Sequence, residues 1–259
     1  MGFKNPYKYP YKSFQSTKID MPLSYKLFTL KITDANVNKL LNLTISVKTN
    51  MSTYAILVLC AAFISYKNNK NIFVGIITLF WVVWMGYWAH VMAHNQGFLN
   101  YFTDDHNIFS FNPLVHKFSK DFFHFHDKVH HNSDINKDFK NIIIEIVQNI
   151  LFQGVGMLGI LIIQERMMFS KGSLSIICKP IFLFWACFYA TAHMINFNII
   201  GSEIHTQHHQ NKYTNYDFDI FDIIHSSKTT PIIQEDLRHT IINAIVLTYV
   251  IIKYRVLFD

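Results

Sequence analysis

72-IFVGIITLFWVVWMGYWAHVMA-93 is a run of 22 residues without Lys, Arg, Asp or Glu. At about 1.5 Å per residue, a helix of that length spans a hydrocarbon core of about 30 Å. Trp81, Trp84, Tyr87 and Trp88 crowd toward one end of it, as aromatic side chains do at a membrane interface. The chain around it is 51% hydrophobic and 15% charged and carries 24 Phe, which argues for a membrane protein over a soluble domain. Shorter apolar runs cover Met51 to Tyr66, Ile142 to Ile163, Pro180 to Phe197 and, marginally, Thr240 to Ile252. The expected fold is therefore all-α, an integral membrane helical bundle of about four spans with a cytoplasmic, histidine-rich helical cap. Glu145, in the third of these spans, either faces the bundle or marks a segment that dips in only part-way.

Two regions are expected. Residues 1–50 open with GFKNPYKYPYKSF, a Lys- and aromatic-rich cytoplasmic arm suited to lie along lipid headgroups, and residues 51–259 form the membrane-embedded domain. Apolar sequence starts only near residue 51, so the first span is expected to act as an anchor and not as a cleavable signal. Pro6 stands where N-myristoylation needs Ser or Thr. Cys60, Cys178 and Cys187 lie apart in apolar stretches and read as small core hydrophobes. A net charge of +6 with no nucleic-acid-binding motif points to anionic lipid, not to DNA or RNA.

The 14 histidines all lie at or after residue 90, and eight fall in three clusters. These are His90-x-x-x-His94, His126-x-x-x-His130-His131 and His205-x-x-His208-His209. On an α-helix, residues i and i+4 lie about 40° apart and residues i and i+3 about 60° apart, so one face can aim two imidazoles at one point. His131, about 140° round from His126 on such a helix, fits a second ion better than the first. Each cluster adjoins an apolar run on the same expected side of the membrane. That side carries 16 of the Lys and Arg residues against seven on the other, which places the histidines in the cytoplasm. An all-imidazole set admits Zn, Fe, Cu or Ni. His-Glu-x-x-His is absent, and structural zinc needs only four ligands, so eight or nine imidazoles suit two irons.

From Ile72 to about Ser227 the chain resembles the fatty acid hydroxylase and sterol desaturase superfamily of membrane di-iron oxygenases. The residues that carry the resemblance are GYWAHVMAHN, FHDKVHHNS and SEIHTQHHQNKYTNYDFDIFD, with Asn215-Tyr216 and the later Asp222. Val91 stands where the family has Arg, Asp217 where it has Gly, and 31 residues separate His94 from His126, adding His106, His116 and His124 as candidate substitutes. The resemblance implies a multi-pass protein of an internal membrane such as the endoplasmic reticulum. It also implies two Fe ions, with Zn able to replace them on overexpression, held by His90, His94, His126, His130, His131, His193, His205, His208 and His209. Asp127, Asp134, Glu203 and Asp222 are the candidates to orient those imidazoles. The implied reaction uses O2 to hydroxylate or desaturate a fatty acyl chain or sterol, and no catalytic side chain beyond the ligands is singled out.

The chain has no dinucleotide fingerprint and no His-Pro-Gly-Gly motif of a fused cytochrome b5 domain. Electrons are therefore expected from a separate cytochrome b5-type protein and its reductase. Two competing readings are a metal or proton transporter with a histidine-rich cytoplasmic face and a membrane b-type cytochrome. The transporter should carry its ligands near mid-membrane on broken helices, and the cytochrome should carry them within spans.

Overall fold

A computed structural model describes residues 34–105, 109–126, 130–131, 139–155, 177–216, 218–229 and 233–254. All regular structure among them is helical, with no strand. Residues Asn38–Asp259 form one compact unit, and Met1–Val37 are assigned to another. The opening stretch of the expected arm lies outside the described residues.

The helices are α1 (Asp34–Thr49), α2 (Met51–Lys67), α3 (Ile72–Ala93), α4 (Gln96–Thr103), α5 (Pro113–Phe125), α6 (Phe139–Ile150), α7 (Lys179–Met194), α8 (Glu203–Gln210), α9 (Asp219–His225) and α10 (Ile241–Lys253). Several starts are written locally. The side chains of Asn71, Asn95 and Asn112 each accept a hydrogen bond from a first-turn N–H of α3, α4 and α5, and Pro113 occupies the opening turn of α5. Asn50 ties α2 to the start of α10, donating to the Glu235 carbonyl at 2.7 Å and accepting from Leu237 N–H at 2.8 Å.

The core is built on α7. Ile181, Phe182, Phe184, Trp185, Ala186 and Phe188 are buried on every side of it, the pattern of a helix enclosed by others. Helices α2, α3 and α10 surround it and keep an apolar face outward. On α3 that face is Phe73, Ile77, Phe80, Trp81, Trp84 and Trp88; on α10 it is Ile242, Ile245, Val246 and Tyr249; on α2 it is Leu59, Phe63 and Tyr66.

Among the described residues one helix, α3, is long and apolar enough to cross a membrane, and it occupies the same 22 residues that the sequence singled out. A second qualifies only if Asn36–Thr49 and Met51–Lys67, bent by 71°, count as one broken span. The α2, α7 and α10 helices have 17, 16 and 13 residues. The coarser expectation of an all-α fold holds. The polar residues of the third expected span, Glu145, Gln148, Asn149 and Gln153, are all buried, so Glu145 faces inward.

Candidate metal centre

Helices α3, α5 and α7 bring their C-terminal ends, with His90 and His94, His126, and His193, to one place, and α8 crosses beside them with His205, His208 and His209. Helix C-termini carry partial negative charge, which favours a cation there. His130 and His131 follow α5 through a widened turn. His131 N–H donates to the His126 carbonyl at 3.2 Å, an i to i+5 bond of the π type that recurs at functional sites. That turn removes the angular conflict expected on an α-helix and returns His131 to the side of His126.

Two sets of imidazoles result. His90, His94, His126 and His208 form the first. The Nε2 atoms in it are 3.1 Å apart for His90 and His126, 3.1 Å for His126 and His94, and 3.3 Å for His94 and His208. The second consists of two triads sharing His130: His130, His193 and His205, and His130, His131 and His209. His209 Nε2 joins them, 3.1 Å from that of His130 and 3.0 Å from that of His205, while His193 Nε2 is 3.2 Å from His130 Nε2. The sets adjoin, with the His126 and His130 rings stacked at 5.0 Å. His131 stands between them, its ring 4.7 Å from those of His94 and His208 and 4.4 Å from that of His209. Among the described residues neither ring nitrogen of His131 has a hydrogen-bond partner.

The other ring nitrogens of His90 and His208 fix which atom each leaves for a cation. His90 Nδ1 meets the Tyr216 carbonyl, with Tyr189 Oη 3.1 Å away, and His208 Nδ1 meets the Thr214 carbonyl at 2.6 Å. A carbonyl only accepts, so the proton sits on Nδ1 and a lone pair remains on Nε2. Where the facing Nε2 of a neighbour also holds a lone pair, the two repel unless a positive ion lies between them. Metal–nitrogen bonds of about 2.0–2.1 Å put tetrahedral ligands about 3.3–3.4 Å apart, at or slightly beyond the spacings here, so each set could hold an ion after a small outward shift.

Burial supports the same protonation. It holds His126, His130 and His205 well below the usual histidine range, aided by repulsion from neighbouring imidazoles. It takes His208 down to about 4, against the opposing effect of its bond to Thr214. Neutral imidazole is the form that binds metal.

All nine expected ligands meet in these two sets. Of the acids expected to orient them, Asp127 and Asp134 lie outside the described residues, and Glu203 is exposed in the first turn of α8. Asp222 is buried and works at one remove. Its Oδ1 accepts from Tyr216 N–H at 2.9 Å and from Ser227 Oγ at 2.6 Å, which fixes the carbonyl that holds His90. Among the described residues, the carboxylate that touches these histidines is Glu145 of α6. Its Oε1 lies 3.2 Å from His130 Nδ1 and 3.6 Å from His193 Nε2. The buried Glu in an apolar run was its only sequence signal.

His116, His124, His225 and His239 belong to neither set. His225 stacks on Tyr87 at 4.7 Å, and His239 Nε2 bonds Asn196 Oδ1 at 2.6 Å. His106 lies outside the described residues. No protein-family model, curated protein or solved structure matches the chain.

Proposed function

We propose that this chain is a membrane-bound, O2-dependent di-iron oxidoreductase that hydroxylates or desaturates a lipid. The observation that carries the reading is the pair of adjoining buried imidazole sets whose Nε2 atoms converge, with Nδ1 of His90, His208 and His130 held by the Tyr216 carbonyl, the Thr214 carbonyl and Glu145. Bound iron would supply activation of O2 against an unactivated C–H bond, with zinc able to occupy the same ligands. The protein's own part is to orient nine imidazoles, to limit water at the site by burial, and to present apolar helix faces to a lipid phase. Those outward faces on α2, α3 and α10 support a membrane setting. They agree with the motif resemblance around Phe125, His126, His130 and His131. A haem reading fares worse, because Nε2 atoms 3.0–3.3 Å apart leave no space for a macrocycle.

Two metal equivalents per chain are expected in protein from iron-replete cells, falling to about one when His90 and His94 are both replaced by Ala. One equivalent in the wild type, retained after either set is removed, sinks the two-ion reading. Lipid analysis of cells expressing the wild type or a His130→Ala/His131→Ala variant then tests the reaction. A lipid product present only with the wild type is expected, and identical profiles would refute the oxidase assignment.

A further inference from the structure

A cavity of about 30 Å³ reaches from the histidine sets toward the segment before α10. About 10–15 Å³ suffices for one water molecule, so this space admits water or a diatomic molecule. His90 of the first set and His193 and His205 of the second line one side, and Asn196, Asn215 and Glu235 contribute polar groups. Its contents therefore face ligands of both sets at once.

Glu235 is held firmly. Its Oε1 accepts from Asn196 Nδ2 at 2.9 Å and Ser202 Oγ at 2.8 Å, while its N–H donates to Asp219 Oδ2 at 2.9 Å. Among the described residues its carboxyl forms no ion pair, since Lys228 pairs with Asp219 instead. We propose that Glu235 is the proton-exchanging carboxyl of this cavity, handing protons from its wall to the O2-reducing centre. This rests on the oxygenase reading above.

The demand for protons follows from balance. In hydroxylation, C–H, O2, two electrons from an external one-electron carrier protein and two protons give C–OH and water. The O–O bond breaks and one oxygen leaves as water. Desaturation takes the same two electrons and two protons, loses two hydrogens from carbon and yields two waters. Either way two protons per turnover must enter a buried site.

Glu235 has the chemistry for that traffic. Burial and the Asp219 carboxylate push its carboxyl up to about 7, against the pull of Ser202 and Lys228. A group poised near the working pH both gives and regains a proton readily. The ionisable groups around it are Asp219 and Asp222 of α9, Lys228 beyond that helix, Tyr54 of α2, His193 and His205 across the cavity, and exposed His239 through their shared Asn196.

Infrared spectroscopy of the full chain in lipid nanodiscs tests the assignment. Glu235→Gln keeps an acceptor for Asn196 and Ser202 at nearly unchanged volume. The wild type should show a protonated-carboxyl band that titrates at roughly pH 6–8, outside the ordinary carboxylate range, and Glu235→Gln should lack it. With two metal equivalents retained, the chemically reduced variant should consume O2 roughly a hundredfold more slowly. A second variant, Ser202→Ala, removes a donor to the carboxylate and should move the band's midpoint upward. No such band in the wild type, a band unchanged in Glu235→Gln, or unaltered O2 consumption in that variant overturns the proposal. A wild-type chain that fails to hold two ions removes the oxygenase reading, and with it the proton demand, whatever the band does.

Discussion

At the scale of single residues, the site rests on what stands behind the imidazoles. Glu145 is buried against His130 Nδ1 at 3.2 Å, and carboxylate partners of ligating histidines are commonly worth about 10–100-fold in metal affinity. Glu145→Ala should therefore weaken metal at the His130 set by about that factor and spare the His90 set. Chelator competition followed by metal analysis would show one ion leaving early, and equal loss of both would refute the pairing. Protonation is a second lever. His208 sits at about 4 in the folded chain and near 6.5 when unfolded. Between those values the unfolded chain binds the extra proton, so metal-free stability is full above about pH 6.5 and declines as pH falls toward 4. A melting temperature of the metal-free protein that stays constant from pH 7 to 5 would contradict this. The histidines were legible in the sequence because helical spacing alone brings His90 to His94 and His205 to His209. Their supports were not. The Tyr216 and Thr214 carbonyls have no residue signature, Glu145 is 15 positions from His130, and of the two acids named in advance that lie among the described residues, Asp222 supports a ligand indirectly and Glu203 is exposed.

At the scale of elements, apolar runs foretold helices well where composition decides them. The 22-residue α3 matches its run end to end, and α2 and α10 lie within a residue of theirs. Local departures from α-geometry were not legible, because tertiary packing sets them. Geometry of the π type recurs in the bond from His131 N–H to the His126 carbonyl, at Leu151–Val155 and at Ile195–Ile200, the first joining two of the clustered histidines and the third following His193, and one inserted residue re-aims the side chains that follow. Gly154 lies in the second of these turns. A Cβ there would come within 2.5 Å of both Ala186 Cβ and the Phe182 carbonyl of α7. Gly154→Ala must then push α6 away from the central helix, at a cost of about 1–3 kcal/mol. Because Glu145 rides on α6, the same variant should also loosen metal at the His130 set. Thermal melting and metal content check both effects, and an unchanged melting temperature would show that the contact relaxes freely.

At the scale of the whole molecule, an apolar belt and a buried polar end divide the labour. Phe73, Ile77, Phe80 and Trp84 of α3, with Ile242 and Val246 of α10, turn apolar side chains outward, in keeping with the proposed membrane setting. The imidazole sets are buried at the end of the bundle where α3, α5 and α7 terminate. On the oxygenase proposal, two electrons per turnover would have to reach that end, and a separate carrier protein is the expected source. The chain's net charge is +6, and Lys212 lies within electrostatic reach of His94 at the site end. An acidic carrier of the cytochrome b5 type suits such a surface, and opposite charges would speed its encounter most at low salt. Protein in nanodiscs given NADPH and O2 alone should therefore leave lipid unoxidised. Adding cytochrome b5 and its reductase should start turnover, at a rate that falls as ionic strength rises over the physiological range. Turnover on nicotinamide cofactor without another protein would place the reductant's site within this chain and overturn the separate-carrier expectation.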